Sequence, residues 1–195
     1  KEWVRIEWNM GRRCNFDCSY CGADLHDNKS KHLPFEKFDD AVRTMREFYA
    51  DKQIRMSLTG GEPFVHPRIL DILKLFPKYG VDEVSTITNG SLPLKKYQTA
   101  LEYIDNLIFS WHFEFLRVDH MKHVLSNLNR KQVKVHLMYL PGQLEEIKGV
   151  VDWLNDNNVK FNVRRIRPMT NLQTGEVNKP YSSGMKFAGI QYGGA

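Results

Sequence analysis

Strand-like and helix-like segments alternate along most of this 195-residue chain. Residues 3–9 alternate apolar and polar side chains, as a strand does, whereas apolar residues from Phe35 onward recur near helical spacing. The other predicted strands are residues 54–59, 83–88, 106–111, 133–140 and 160–166, and the other predicted helices are 67–76, 94–104, 118–129 and 143–157. This alternation predicts an α/β fold with a parallel sheet and right-handed crossover helices.

Six strands are too few to close an eight-stranded barrel, so the predicted architecture is an open, curved, partial (β/α)₆ TIM-like barrel. We expect residues 1–168 to form it. Residues 169–195 are polar and rich in glycine, and we predict a substrate-covering or flexible tail there, or a truncated or discontinuous segment. Functional side chains of parallel barrels collect at the carboxyl ends of the strands.

The chain has three cysteines, Cys14, Cys18 and Cys21, all in one eight-residue stretch with the spacing C-x₃-C-x₂-C. An odd number of such close cysteines does not suit a disulfide framework. A structural zinc site normally has four ligands, and the fourth here would have to be His26 or His32. Three thiolates on one loop can instead bind three irons of a [4Fe–4S] cluster and leave the fourth iron open to a small molecule.

A second motif, Gly60-Gly61-Glu62-Pro63, follows the predicted strand 54–59. A glycine pair at the end of a strand lets the backbone approach a ligand closely, because no Cβ intervenes. The neighbouring carboxylate can pair with an ammonium group. The combination of C-x₃-C-x₂-C with this GGEP segment resembles the radical S-adenosylmethionine (SAM) superfamily, over residues 3 to 168.

The resemblance implies a [4Fe–4S] cluster and SAM as cofactors. In such enzymes the cluster reductively cleaves SAM to a 5′-deoxyadenosyl radical, which abstracts a hydrogen atom from the substrate, here a small molecule or a peptide. It also implies an electron donor such as flavodoxin or ferredoxin. An exposed set of thiolates suits a reducing compartment, so we expect a cytoplasmic protein.

Site residues follow from the same resemblance. The three cysteines would bind the cluster, and Gly60, Gly61 and Glu62 would hold the amino group of SAM. The other SAM contacts that it implies are Tyr20 on the adenine, Thr88 and Asn89 on the ribose or carboxylate, and Ser110. Arg165 is expected on a carboxylate because its guanidinium suits bidentate pairing. The alternative for Tyr20 is an ordinary loop aromatic, and the alternative for Asn89-Gly90, which is as well supported as the SAM contact, is a simple turn.

His112 and Glu114 are candidate catalytic residues that would contact the substrate. Strand periodicity would place both on the same face as Ser110. The alternative is a strand end with solvated polar side chains. For the carboxylate of SAM or substrate, Arg164 and Arg167 compete with Arg165, because the sequence does not decide which face of the last strand points inward.

Two other functions remain open from composition. The net charge of +5 allows an RNA-modifying enzyme of the same superfamily, although the basic residues are scattered among 23 acidic ones. An anionic small substrate would use the same charges. A non-catalytic zinc-binding or interaction module is the second alternative. No apolar run approaches the roughly 20 residues of a membrane span, so no membrane partner is expected.

Overall fold

The computed structural model describes residues 2–22, 24–140 and 143–166. Six strands form one sheet, and helices lie between them in the chain. The strands are β1 Trp3–Asn9, β2 Gln53–Thr59, β3 Glu83–Thr88, β4 Asn106–His112, β5 Val133–Tyr139 and β6 Lys160–Arg165. The helices are α1 Phe35–Phe48, α2 Ile69–Lys78, α3 Leu94–Ala100, α4 Val118–Ser126 and α5 Leu144–Asp156, with a 3₁₀ turn at Pro63–Val65. None of the described helices combines the length and apolarity needed to span a membrane.

Each strand pairs in parallel with the next one along the chain, giving the sheet order β1-β2-β3-β4-β5-β6. The strands therefore all end at the same edge of the sheet, and β1 and β6 are its two outer strands. This topology confirms the predicted α/β fold and is consistent with a partial TIM-like barrel. The predicted tail 169–195 lies outside the described residues.

Two helices end earlier than predicted. α3 stops at Ala100 rather than at residue 104, because Tyr103 donates its N–H to the carbonyl of Ala100 in a tight turn. α4 stops at Ser126 rather than at residue 129, where Asn127 makes the same kind of turn with Val124. The apolar pattern runs on past both ends because Ile104 and Leu128 are buried from the turns that lead into β4 and β5.

The two faces of the sheet differ in character because strand side chains alternate between them. One face packs against the helices, and its most buried members include Ile54, Met56 and Leu58 of β2 and Phe109 and Trp111 of β4. The opposite face is mostly polar, and we call it the polar face. Its members are Arg5, Glu7, Asn9, Arg55, Ser57, Thr59, Glu83, Ser85, Ile87, Asn106, Ile108, Ser110, His112, Lys134, His136, Met138, Lys160, Asn162 and Arg164.

Candidate functional site

A cavity of about 570 Å³ lies at the carboxyl ends of the strands. It brings together almost all of the residues that the sequence singled out. Those that line it are Cys14, Cys18, Tyr20, Cys21, Gly60, Gly61, Glu62, Thr88, Asn89, Ser110, His112 and Arg165. The cavity also receives Glu7, Met138 and Ile166, which the sequence analysis missed. The signal for Glu7 was available, because it shares a strand face with Asn9.

The three cysteines lie on the loop between β1 and α1, and all are free thiols, with Cys18 buried. The sulfur of Cys14 accepts hydrogen bonds from the N–H of Phe16 at 3.4 Å and from the side-chain amide of Asn89 at 3.9 Å. Burial raises the pKa of Cys18 to about 12, and the other two thiols add to this rise. Three such neighbouring thiols ionise together only beside positive charge, such as that of iron.

The donor set fits a cluster. A single zinc ion needs its ligands to converge on one point. In the described part of the chain, no group of three or more His, Cys, Asp or Glu side chains is placed to hold one metal ion. A [4Fe–4S] cluster takes each thiolate on a different iron, so its ligands need only surround a shared space.

The glycine pair after β2 packs against the backbone of the cysteine loop. Gly61 donates its N–H to the carbonyl of Gly11 at 2.8 Å, and Glu62 donates to the carbonyl of Arg13 at 2.8 Å. A Cβ on Gly61 would lie 2.4 Å from the Arg13 oxygen, and Gly60 has a φ of +135°, which favours glycine. The sequence predicted that the glycine pair allows the backbone to approach a ligand closely. In the structure, the glycine pair also allows the loop after β2 to pack closely against the cysteine loop.

Glu62 is buried beneath this loop, with 3% of its surface exposed. Its carboxylate accepts hydrogen bonds from the N–H of Phe64 at 2.9 Å, from the hydroxyl of Thr88 at 2.9 Å and from the N–H of Asn89 at 2.5 Å. Burial raises the pKa of Glu62 to about 7, although these hydrogen bonds oppose the rise. The amide of Asn89 also donates to Asn15 at 2.8 Å. The loop after β2, the end of β3 and the cysteine loop are therefore joined.

The end of β4 holds the cysteine loop from the other side. The Tyr20 hydroxyl is hydrogen-bonded to Nδ1 of His112 at 2.5 Å, and the two rings stack with centroids 5.8 Å apart. Ser19 donates its N–H to the Glu114 carboxylate at 2.9 Å, and its hydroxyl bonds the other carboxylate oxygen. Burial lowers the pKa of His112 to about 4, which keeps the imidazole neutral at pH 7.

The expectation that Glu114 shares a strand face with Ser110 and His112 is wrong. β4 ends at His112, and Glu114 lies in the following turn, where strand alternation no longer applies. The turn directs Glu114 to the cysteine loop. Ser110 is buried, and both it and His112 line the cavity.

Two of the three arginines considered for a carboxylate, Arg164 and Arg165, lie on β6, and their side chains lie in different places. Arg165 lines the cavity at the end of β6, next to Ile166, which packs with Cys18 and Tyr20. Arg164 lies on the polar face near His136. Burial lowers the pKa of His136 to about 4, and the charge of Arg164 adds to this shift. Arg167 lies outside the described residues.

Comparison with known proteins places this site in a family. The model of the radical SAM superfamily matches residues 8–163. A probable GTP 3′,8-cyclase of Thermoplasma volcanium is 31% identical over 110 residues, covering 56% of this chain and 32% of that protein. An S-adenosylmethionine-dependent nucleotide dehydratase, RSAD2, of Oncorhynchus mykiss is 32% identical over 111 residues, covering 54% and 30%. The chain thus spans about a third of the length of these relatives.

Solved structures agree on the fold. Streptococcus suis SuiB bound to S-adenosylmethionine superposes with a TM-score of 0.65 at 19% identity, covering 88% of this chain and 41% of SuiB. Native anSMEcpe with bound AdoMet superposes with a TM-score of 0.67 at 12% identity, covering 86% and 53%. Family model, fold and cavity agree: the chain belongs to the radical SAM superfamily, whose enzymes use a [4Fe–4S] cluster and S-adenosylmethionine.

Proposed function

We propose that this chain binds a [4Fe–4S] cluster through Cys14, Cys18 and Cys21 and binds SAM in the cavity beside it. The observation that carries the proposal is that the three thiols, the glycine pair and the ends of β3, β4 and β6 line one cavity. When bound, these groups supply a 5′-deoxyadenosyl radical that abstracts a hydrogen atom from the substrate. The protein itself would position the cluster, SAM and the substrate, neutralise their charges and exclude water from the cavity.

The cavity wall offers a partner for each part of SAM. The backbone at Gly60 and Gly61 and the carboxylate of Glu62 are the partners for its amino group, and Arg165 is the partner for its carboxylate. Glu62 already accepts three hydrogen bonds within the protein, which fix its orientation. A bound ammonium would offset the burial that raises the Glu62 pKa, because an adjacent positive charge favours the ionised carboxylate.

Three further groups complete the proposed SAM site. Tyr20, held by His112, is the surface for the adenine, and Ser110 and Thr88 supply hydroxyls on the same cavity. Thr88 donates to Glu62 and accepts from the N–H of Gly90 at 3.2 Å, so its main part in the site is to orient the Glu62 carboxylate. Asn89 connects the SAM site with the cluster, since its side-chain amide bonds both Asn15 and the Cys14 sulfur.

For the substrate we propose a small molecule of the nucleotide class. Both relatives above 30% identity described here are named for reactions of nucleotides, GTP in one and an unspecified nucleotide in the other. A likeness to SuiB, which has been solved with its precursor peptide, is at 19% identity and supports the fold alone. An electron donor such as flavodoxin or ferredoxin would reduce the cluster, and a reducing compartment such as the cytoplasm would preserve the thiols.

The test is anaerobic reconstitution with iron and sulfide, followed by reduction with dithionite in the presence of SAM and measurement of 5′-deoxyadenosine. We expect iron binding and 5′-deoxyadenosine from the parent protein and neither from Cys14→Ala, Cys18→Ala or Cys21→Ala. Asn28→Ala, an exposed change on the same loop, serves as the control and should retain both. Full product formation by Cys18→Ala, or a colourless protein that binds zinc instead of iron, would refute the proposal.

A further inference from the structure

A second cavity, of about 510 Å³, opens on the polar face at the other end of the strands, where the strands begin. Its charged lining is strongly basic. Five cationic side chains, Arg5, Arg55, Lys131, Lys134 and Lys160, face two carboxylates, Glu7 and Glu83. We call this the basic cavity.

The register of the sheet places cationic side chains next to each other on neighbouring strands. Arg5 is the register partner of Arg55, and Lys134 is the register partner of Lys160. Only Arg55 has a close carboxylate, that of Glu83 at 2.7 Å. Within the described ranges, no carboxylate lies within 4 Å of Arg5, Lys131, Lys134 or Lys160. Like charges on neighbouring strands repel, so the arrangement costs stability until an anion neutralises it.

Protection of a sheet edge explains only part of this pattern. Lysine is common on outer strands because it discourages edge-to-edge aggregation, and that accounts for Lys160 on β6. Lys134 lies on β5, which is paired on both sides. Its charge therefore has no such role. The Lys134 ammonium donates to the side-chain amide oxygen of Asn162 at 3.1 Å and has further N–H groups for a ligand in the cavity.

The basic cavity adjoins the cavity at the carboxyl ends of the strands, which we call the SAM cavity. Glu7 lines both of them. On β5, Lys134 lines the basic cavity and Met138 the SAM cavity, about 13 Å apart at the rise of an extended strand. Between them lies His136, which is only 6% exposed and whose Nδ1 has no hydrogen-bond partner among the described residues. A small molecule that extends along β5 from the basic cavity to the SAM cavity would pass His136, whose unpartnered Nδ1 is available to it.

We propose that the basic cavity binds the phosphate groups of the substrate, whose remainder extends along the polar face toward SAM. The guanidinium of Arg5 can bind phosphate oxygens in pairs, and the lysines act as point charges. The inference deepens the proposed function and rests on it for the reaction, but the phosphate site itself can be measured without any turnover. The same phosphate chemistry could come from a free nucleotide or from RNA, and the experiment separates these sources.

The experiment measures binding to the reconstituted protein with SAM, by calorimetry at two salt concentrations. The probes are tripolyphosphate, the four common ribonucleoside triphosphates, the matching nucleosides and a short single-stranded oligoribonucleotide. The test variant is Lys134→Gln with Lys160→Gln. The control variant is Lys37→Gln with Lys148→Gln, which removes two exposed lysines of α1 and α5. Its net charge therefore equals that of the test variant. A third variant, Lys134→Arg with Lys160→Arg, keeps both positive charges but changes the shape of the side chains, so it shows whether affinity depends on the charge alone.

We expect each chain to bind one tripolyphosphate, with an affinity that falls at the higher salt concentration. At least one nucleoside triphosphate should bind more tightly than its nucleoside. Affinity for both should fall at least tenfold in the test variant and be retained in the control and arginine variants. Equal affinity in the test and control variants would overturn the proposal, as would an oligoribonucleotide that binds when tripolyphosphate and triphosphates do not. A parent protein that makes no 5′-deoxyadenosine would defeat the proposed function, while the binding data would still decide the phosphate site.

Discussion

The carboxylate of Glu62 accepts a hydrogen bond from the hydroxyl of Thr88, although the two residues are 26 positions apart. The bond is 2.9 Å long and buried, and it joins the loop after β2 to the end of β3. Both residues line the cavity that also holds the three thiols. The relative position of the two segments that we propose to bind SAM therefore depends on a contact inside the protein.

Thr88→Val should test the strength of this bond. The change removes a hydroxyl that donates to a buried acidic side chain, and we expect a loss of about 1–3 kcal/mol in the free energy of unfolding. Thr86→Val is the matched control, because Thr86 is buried on the same strand but donates to the neutral carbonyl of Leu58 at 3.3 Å. Urea unfolding followed by tryptophan fluorescence measures both. We expect Thr88→Val to lose more stability than Thr86→Val, and a larger loss for Thr86→Val would contradict this expectation.

Glu62 should make stability depend on pH. Its pKa is raised to about 7 in the folded protein, above the 4.5 of an ordinary glutamate. Between these values the folded chain binds more protons than the unfolded chain, so the contribution of Glu62 to stability falls as pH rises from 4.5 to 7. The whole penalty, roughly 3 kcal/mol, is present above pH 7.

Glu62→Gln should remove this decline, because the amide does not titrate. Unfolding free energies of the cluster-free protein between pH 4.5 and 8 measure it. Glu145→Gln, at an exposed position of α5, is the control and should keep the decline of the parent. Parallel curves for the parent and Glu62→Gln would show that Glu62 titrates at an ordinary pKa.

Gly61→Ala should disturb the contact between the loop after β2 and the cysteine loop. The new Cβ would lie 2.4 Å from the carbonyl oxygen of Arg13 and 2.5 Å from that of Arg12, so the backbone must move. We expect a loss of about 1–3 kcal/mol in stability and weaker retention of iron. Gly149→Ala is a control with the opposite sign. Among the described residues, no atom beyond the adjoining helix backbone lies within 4 Å of its new Cβ, and alanine favours α5 by about 1 kcal/mol. Thermal unfolding and iron content test both, and equal effects would refute the argument.

Glu114→Ala should loosen the cysteine loop. Without the carboxylate, the N–H and hydroxyl of Ser19 lose their partner, and we expect iron to leave the reconstituted protein for a chelator about ten times faster. Glu102→Ala, an exposed change before β4, should leave the rate unaltered. If Glu114→Ala kept its iron and lost only the stimulation of SAM cleavage by substrate, Glu114 would be a substrate contact instead.

Local patterns explain the success of the fold prediction. Buried Ile54, Met56 and Leu58 alternate with more exposed residues, and this period of two identifies β2 without knowledge of its neighbours. Helix ends were harder to place. The apolar residues at positions 101 and 104 continue the pattern of α3, but the chain must turn there to enter β4, and that turn is decided by tertiary packing.

The alternation of six strands with helices, the grouping of three thiols on one loop and the glycine pair after β2 can all be read from the chain, because each is a property of neighbouring residues. The bond from Ser19 to Glu114, 95 positions away, and the bond from Glu62 to the end of β3 required the folded structure. It also placed Arg164, with Lys134 and Lys160, on the polar face. These placements follow from strand register and from the path of turns, which bring together side chains that no local spacing relates.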